Sequence, residues 1–322
     1  MKRDVVILLL APLLALANEP YRYEASLDAM GTTYSVVVYG EDKLGLQAAV
    51  DSAFEEVRRL DRKLSNYRPD SEWSQVNQKA AQQEVVLSQE LFDLLSACQN
   101  YSRQSEGAFD ITVGPLMKLW GFYKGSGRLP HRAALRGVLS RIGFQNVVLS
   151  PERRSVRFLK HDMEIDPGGI GKGYAVDRVV ESLKESRIRT ALVAAGGSSI
   201  YGLGTPPSET DGWKVKIRNP KDSRKTVEEV YLKDMSMSTS GSYEKFFRAE
   251  GRTYSHIMDP RTGTPAPGMY SVSVVSPKTL DSEAWTKPIF ILGKQWARTR
   301  APKEFRVYLC EDKGEAACAW LP

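Results

Sequence analysis

The sequence is poor in the residues that build disulfide frameworks and zinc sites. Its 322 residues include 3 Cys and 3 His, too few for a Cys-based zinc site or a disulfide scaffold. Lys and Arg number 45 against 39 Asp and Glu, a net charge of +6, and no basic block is dense enough for a nucleic-acid-binding arm. We therefore expect no nucleic-acid partner. The spacing of Cys310 and Cys318 permits a disulfide in an oxidising compartment but cannot establish one.

Long apolar runs are also scarce, and the one that stands out is at the amino terminus. Lys2 and Arg3 precede residues 5–17, which are apolar and end in the small-x-small sequence Ala-Leu-Ala. This pattern predicts a secretory signal peptide over residues 1–17 and an exported, in a bacterium periplasmic, chain over residues 18–322. The alternative is a buried amino-terminal strand or helix. The run is shorter than the ~20 residues that span a bilayer, so we expect no stable membrane span after cleavage.

Hydrophobic periodicity predicts both helices and strands, without a fixed repeat. Helical spacing of apolar residues occurs at residues 46–64, 91–101, 174–184 and 282–292. Strand-like segments occur at residues 32–39, 147–149, 155–159, 191–195, 213–217 and 270–275. No linker divides the chain. The pattern indicates an α+β or α/β protein rather than a repeat array.

A Gly-rich segment covers residues 166–177 and reads Asp-Pro-Gly-Gly-Ile-Gly-Lys-Gly-Tyr-Ala-Val-Asp. Glycines leave backbone amides uncovered, and the predicted helix that follows would present its N-terminus to an anion such as a pyrophosphate. Lys172 could add a fixed positive charge. The spacing matches neither the Walker A nor the Rossmann motif. The alternative is a tight structural turn.

A second cluster begins at His256 and reads His-Ile-Met-Asp-Pro-Arg-Thr-Gly. His256 could act as a general base, with Asp259 beside it and Arg261 as a phosphate-binding group. Asp-Pro-Arg-Thr-Gly is also strong turn chemistry. The alternative is therefore a capping Asp and a surface His.

Two further clusters could supply a ring slot and oxygen ligands. Residues 107–122 place Phe109 and other aromatics around Asp110, which could form a slot for a flat ring but is more often typical of a core. Asp281, Glu283 and Thr286 carry oxygen donors suited to Mg²⁺. The alternative is a charged helix start with an ion pair between Glu283 and Lys287.

Together these segments resemble the FAD:protein FMN transferases, the ApbE-like flavin transferases. The resemblance runs in order over residues 30–32, 64–67, 71–77, 107–122, 166–177, 196–197, 213–220 and 240–243. Its most specific element is His256-x-x-Asp259-Pro-x-Thr262-Gly263.

The resemblance implies a function and a fold. Members of the family bind FAD and a divalent cation, usually Mg²⁺, and transfer FMN to a Thr or Ser hydroxyl of an acceptor protein, releasing AMP. The acceptor is typically a membrane redox subunit. The fold implied is a single α+β domain with T-fold-like mixed or antiparallel sheets packed by helices. The alternative is an FAD-binding protein, such as an FAD pyrophosphatase or flavin carrier, that does not modify proteins.

The resemblance also implies site residues. The catalytic positions are His256, Asp259 and Arg261. The cofactor-binding positions are Met30, Ser65, Tyr67, Phe109, Asp110, Lys172, Asp177, Gly196, Gly197, Ser198, His256 and Thr262. The metal ligands would come from the Gly171 carbonyl together with Glu283, Thr286 and Asp281.

The chain departs from the family pattern at two places. Ser198 follows the Gly-Gly pair where an Asp or Asn is common in the family. The family's metal motif, Asp-x-x-x-Thr, aligns without a gap onto Glu283 and Lys287, whereas a shifted register would use Asp281 and Thr286. We prefer the ungapped register. An ammonium has no lone pair to donate to a cation. The ungapped register therefore predicts that this protein depends less on Mg²⁺ than a family member with Asp and Thr at these positions.

Overall fold

Helices pack against one large antiparallel sheet. The computed structural model describes residues 19–313 and 315–322. The predicted signal peptide, residues 1–17, lies outside the described residues. Within them the helices are α1 (Lys43–Leu64), α2 (Glu72–Lys79), α3 (Gln89–Gln104), α4 (Gly114–Leu119), α5 (Arg132–Leu139), α6 (Gly171–Glu185) and α7 (Thr279–Arg300).

Eight strands form the main sheet, in the order β1-β2-β6-β7-β10-β15-β16-β17, and every neighbouring pair is antiparallel. These strands are β1 (Tyr21–Ala29), β2 (Thr32–Gly40), β6 (Thr190–Ala195), β7 (Ser199–Leu203), β10 (Met235–Gly241), β15 (Met269–Ser276), β16 (Arg306–Lys313) and β17 (Glu315–Trp320). Smaller sheets contain β3 (Val85–Val86), β4 (Val147–Ser150), β5 (Ser155–Phe158), β8 (Trp213–Arg218), β9 (Thr226–Leu232), β11 (Phe246–Ala249), β12 (Arg252–Ser255), β13 (Met258–Asp259) and β14 (Thr264–Pro265).

The core lies between the main sheet and the helices. In β2 every second side chain is fully buried, at Tyr34, Val36 and Val38, as the period of a strand requires. The buried face of α1 consists of Leu46, Ala49, Val50, Ala53, Phe54, Val57, Leu60 and Leu64. The α+β class is confirmed, and the chain forms a single domain.

The first turns of α6 and α7 lie against each other at Gly173. A Cβ atom there would lie 2.5 Å from the Thr279 carbonyl oxygen and 2.9 Å from Glu283 Oε2, so only glycine fits. The Gly173 amide donates to Glu283 at 2.5 Å, and Asp177 accepts from the amides of Thr279 and Leu280 at 2.7 and 2.9 Å. Each helix therefore supplies a carboxylate to the positive N-terminal end of the other.

The predicted elements are present, but their ends differ in informative ways. The helix predicted from residue 174 begins at Gly171, because packing against α7 compensates for the low helix propensity of glycine. The helix predicted over residues 282–292 extends over Thr279–Arg300, with a break at Gly293, where φ is 82°. Strand β1, which has a largely polar sequence at the edge of the sheet, was not predicted.

One observation, a disulfide, bears on the expected compartment. Cys310 and Cys318 lie directly opposite each other on β16 and β17 and form a disulfide. Among the helices of the described residues, none is long and apolar enough to cross a membrane. Export itself depends on residues 1–17 and stays a prediction.

We expect Gly173→Ala to destabilise the fold by about 1–3 kcal/mol, the usual cost of overpacking a buried contact. Gly137→Ala is the matched control, because Gly137 lies in α5 with nothing within 4 Å of its Cβ position. This control should be neutral or stabilising by up to ~1 kcal/mol. Urea unfolding of both variants measures the difference. An unchanged free energy of unfolding for Gly173→Ala would contradict the close packing of α6 on α7.

Candidate active site

The Gly-rich segment forms a 3₁₀ turn, Pro167–Gly169, followed at once by α6. Asp166 caps this turn by accepting from the Gly168 amide at 2.6 Å. Asn77 fixes the residue before the turn, since its side chain accepts from the Ile165 amide at 2.8 Å and donates to the Ile165 carbonyl at 3.0 Å. The backbone that leads into α6 is therefore held from two sides.

The N-terminus of α6 is suited to an anion. Its N-cap residue, Ile170, makes no capping hydrogen bond through its side chain. Lys172, in the first turn, donates to the Ser198 hydroxyl at 2.6 Å. Ser198 in turn donates to the Ala195 carbonyl at 3.2 Å. The helix end and the Lys172 ammonium thus place positive charge next to the turn that contains Ser198.

The Gly196–Gly197 turn joins β6 to β7 with no space for side chains. A Cβ atom at Gly196, where φ is 58°, would lie 2.6 Å from Thr32 Oγ1. A Cβ atom at Gly197 would lie 2.7 Å from the Arg218 guanidinium. Arg218 and Tyr243 are among the residues that line an adjacent cavity of about 350 Å³. Several segments of the family resemblance therefore meet at this turn.

Two α7 side chains, four residues apart, reach the Gly-rich segment. Glu283 accepts from the Gly173 amide. Lys287 donates to the Glu283 carbonyl at 2.8 Å, and its Nζ is 4.0 Å from Glu283 Oε1. The Cε atom of Lys287 is 3.6 Å from the Cβ position of Gly169. Burial lowers the pKa of Lys287 to about 8, while the Glu283 carboxylate opposes this shift and the Lys172 ammonium adds to it.

The two residues of the shifted register have other partners. Asp281 accepts from the Tyr101 hydroxyl of α3 at 2.5 Å. Thr286 is fully buried, donates to the Glu283 carbonyl at 2.7 Å and bonds the Ser240 hydroxyl of β10 at 2.7 Å. Glu283 and Lys287 are thus the pair that faces the Gly-rich segment, which is the arrangement of the ungapped register.

The side chains at this place do not fit a divalent cation. Mg²⁺ requires several oxygen ligands, but Glu283 Oε2 accepts from Gly173 and the Glu283 carbonyl accepts from Lys287 and Thr286. The remaining oxygen, Glu283 Oε1, is 4.0 Å from the Lys287 ammonium, whose charge would repel a cation there. The Lys287 ammonium has only donors. In the described part of the chain there is also no group of three or more His, Cys, Asp or Glu that could hold a metal ion.

His256 lies in the link between β12 and β13, edge-on to the Phe122 ring at 6.4 Å. Its Nδ1 is 3.1 Å from the Lys245 carbonyl oxygen. Because a carbonyl oxygen can only accept, Nδ1 carries the proton and Nε2 keeps its lone pair. The ring is therefore fixed in the tautomer that a general base at Nε2 requires.

The surroundings of His256 keep its imidazole neutral. Burial lowers the pKa of His256 to about 4, and the ammonium groups of Lys245, Lys172 and Lys287 contribute to the same shift. The hydrogen bond with the Lys245 carbonyl opposes it. The histidine and the three lysines thus share one electrostatic environment.

The turn after His256 is closed by its own residues. Asp259 accepts from the Arg261 amide at 2.9 Å and from its guanidinium at 2.9 and 2.8 Å. The exposed Thr262 hydroxyl bonds that of Thr264 at 2.9 Å. Gly263 has φ of 73°, and its carbonyl accepts from Trp120 Nε1 at 2.9 Å. Asp259 and Arg261 thus direct their charges at each other, and their catalytic roles stay predictions, as does the cofactor contact of Thr262.

The aromatic segment contributes one residue to the site and one to the fold. Phe109 is buried, and its Cε2 atom is 3.6 Å from the Cβ position of Gly169. Asp110 accepts from the amides of Thr112 and Phe144, each at 2.8 Å, and burial raises its pKa to about 6. Phe109 therefore packs against the Gly-rich turn, whereas Asp110 holds neighbouring backbone.

Three other predicted cofactor-binding residues are Met30, Ser65 and Tyr67. The Cε atom of Met30 is 3.4 Å from the Cβ position of Gly171. The Ser65 hydroxyl accepts from the Tyr67 amide at 3.1 Å. The Tyr67 ring is 75% exposed and lies edge-on to Tyr123 at 6.1 Å, so one face of it is open to a ligand. Asp177, by contrast, is committed to capping α7.

Sequence reasoning missed Asn66, Tyr123 and Lys245 as site residues. The Asn66 amide donates to Asp166 at 3.1 Å, and the Tyr123 hydroxyl also bonds Asp166. Asn66 Oδ1 is buried and has no partner in the described part of the chain. Asn66 lies inside a matched segment and Lys245 lies two residues after another, but neither residue type alone indicates a ligand.

Sequence comparison places the chain among the FAD:protein FMN transferases. The profile of the ApbE family matches residues 30–309. An FAD:protein FMN transferase of Klebsiella pneumoniae is 32% identical over 86% of this chain and 84% of its own length. One from Treponema pallidum is 32% identical over 82% of this chain and 77% of its own length.

Solved structures agree with the sequences. The ApbE protein of Thermotoga maritima superposes with a TM-score of 0.85 at 28% identity, over 93% of this chain and 96% of its own. The apo flavinyl transferase ApbE of Pseudomonas stutzeri gives 0.83 at 26% identity, over 94% and 95%. The fold and the site define an α+β protein in which a Gly-rich turn leads into the N-terminus of a helix, α6. The chain belongs to the ApbE family.

The neutral state of His256 can be measured directly. We expect its imidazole to titrate near pH 4 in NMR spectra, with the signal assigned by its loss in His256→Gln. Because the folded pKa is below the usual value of about 6.5, protonation favours the unfolded chain. The stability contributed by neutral His256 is present above pH ~6.5 and is lost as the pH falls towards 4. A midpoint at or above 6.5 would contradict the geometry.

Proposed function

We propose that this protein is an exported flavin transferase, which cleaves FAD and transfers FMN to a Thr or Ser hydroxyl of an acceptor protein, releasing AMP. The observation that carries the proposal is the hydrogen bond between His256 Nδ1 and the Lys245 carbonyl, which leaves Nε2 free as a base, within the electrostatic field of Lys172 and Lys287. Membership of the ApbE family and the names of its relatives support this activity.

The proposed binding mode follows from charge and shape. The FAD pyrophosphate lies at the N-terminus of α6, where the Lys172 ammonium and the first-turn amides other than that of Gly173, from which Glu283 accepts, favour an anion. The flavin or adenine ring lies along Phe109 and the exposed face of Tyr67, which offer apolar surface. Gly196 and Gly197 are exposed and have no side chains of their own, which permits close approach of a ligand to their backbone.

In the proposed transfer, the acceptor hydroxyl gives its proton to His256 Nε2 as its oxygen attacks the FMN phosphorus. A new P–O bond forms to the acceptor, the bridging P–O bond to the AMP phosphate breaks, and its electron pair leaves with AMP. Fixed ammonium groups stabilise the negative charge that is redistributed over the phosphates. Mg²⁺ assistance, which the family resemblance implies, has no part in these steps because the donors at Glu283 do not fit the ion.

The location and the acceptor belong to the same proposal. The predicted signal peptide and the Cys310–Cys318 disulfide are both typical of an exported protein. We infer that the acceptor is a membrane redox subunit, in keeping with the family. A direct test incubates the protein with FAD and candidate subunits from the same organism. In-gel flavin fluorescence on a subunit, with one AMP released per flavin attached, supports the proposal.

We expect His256→Ala to bind FAD normally and to slow FMN transfer by roughly 10²–10⁴-fold, the contribution of a positioned general base. His161→Ala, at an exposed position, is the matched control and should transfer FMN at the wild-type rate. Fluorescence labelling of the acceptor measures transfer, and quenching of flavin fluorescence measures binding. Near-normal transfer by His256→Ala would remove His256 as the base. Release of FMN and AMP without labelled acceptor would instead identify an FAD pyrophosphatase.

A further inference from the structure

Lys287 presents a partly enclosed ammonium to the Gly-rich turn. Its side chain is 21% exposed, and Nζ donates to the Glu283 carbonyl. An ammonium has three N–H donors, and Glu283 Oε1, at 4.0 Å, is too far for a normal hydrogen bond. In the described part of the chain the other two donors of Lys287 therefore have no acceptor. They are available to a ligand at Gly169.

Glu283 orients Lys287 through its backbone carbonyl and offsets its charge only in part, because the nearer free carboxylate oxygen is 4.0 Å from Nζ. One carboxylate oxygen of Glu283 is already held by the Gly173 amide at 2.5 Å. The backbone of the same residue accepts the Lys287 ammonium, so the lysine is fixed by a carbonyl dipole instead of a close ion pair. With Lys172 and the N-terminus of α6 nearby, positive charge is in excess here.

We propose that the Lys287 ammonium, rather than a divalent cation, neutralises the FAD pyrophosphate in this protein, so that FAD binds without metal. This inference rests on the proposed function, since it assigns the charge that the same site uses. A divalent cation next to Glu283 would find Oε2 already bonded to the Gly173 amide and the Lys287 ammonium 4.0 Å from the remaining oxygen, Oε1, which would repel it. A phosphate oxygen, in contrast, can accept the free donors of Lys287.

Four variants test the assignment by FAD affinity in excess EDTA and in millimolar MgCl₂. Lys287→Met keeps the apolar stem and removes the charge, Lys287→Arg keeps the charge, and Glu283→Asp with Lys287→Thr restores the family's donor pair. Lys303→Thr, at an exposed position, is the control for loss of a lysine elsewhere. Thermal unfolding establishes that each variant folds.

We expect wild type, Lys287→Arg and Lys303→Thr each to have the same FAD affinity in EDTA as in MgCl₂. Lys287→Met should bind about tenfold or more weakly in EDTA, the effect of losing one close charge pair. The double variant should bind weakly in EDTA and recover in MgCl₂. With Mn²⁺ as a spectroscopic probe, the double variant with FAD should immobilise the ion and wild type should not.

Two results would overturn the inference. One is a wild-type FAD affinity that falls about tenfold in EDTA, and the other is an unchanged affinity for Lys287→Met. The transfer assay separates this failure from failure of the proposed function. If an acceptor is labelled only when MgCl₂ is present, the proposed role of Lys287 is wrong and the proposed transferase activity is retained. If FAD binds without metal and this binding depends on Lys287, but no acceptor is labelled in either buffer, the proposed transferase activity is wrong. The proposed role of Lys287 in binding FAD is then retained.

Discussion

The contact between the first turns of α6 and α7 determines where the other parts of the site lie. Glu283 of α7 accepts from the first turn of α6, and Asp177 of α6 accepts from the first turn of α7. Gly173 makes this exchange possible, because any side chain there would collide with the neighbouring helix. Lys287 is one helical turn beyond Glu283, so the same contact aims its ammonium at the Gly-rich segment.

The balance of charge in the site follows from this arrangement. Lys172 and Lys287 approach from two different helices, and Lys245 joins them through the loop that holds His256. Their combined field favours anions and at the same time opposes a proton on the histidine. One set of positive groups therefore favours the substrate anion and keeps His256 Nε2 unprotonated, although it also lowers the basicity of that nitrogen.

Much of this architecture could be predicted from the sequence, but only where the physical signal is local. The periodicity of α1 predicted its buried face, and the periodicity after the Gly-rich segment predicted α6. Asp177 was predicted to bind the cofactor because it lies in the matched segment, yet its carboxylate caps a helix distant in sequence. The role of Asn66 likewise depends on Asp166, 100 residues away in sequence, a pairing that no local pattern encodes.

The Cys310–Cys318 disulfide has a consequence for the edge of the main sheet. Within residues 19–313 and 315–322, β17 is the last strand of the sheet and its one strand partner is β16, so its outer side carries backbone groups without a strand partner there. Such an edge can detach, slip in register or recruit a strand from another chain. Because Cys310 and Cys318 are directly opposite, the covalent bond fixes the register of the final hairpin. The sheet thus keeps its carboxyl-terminal strand even under conditions that loosen hydrogen bonds, and exchange of that strand between molecules is prevented.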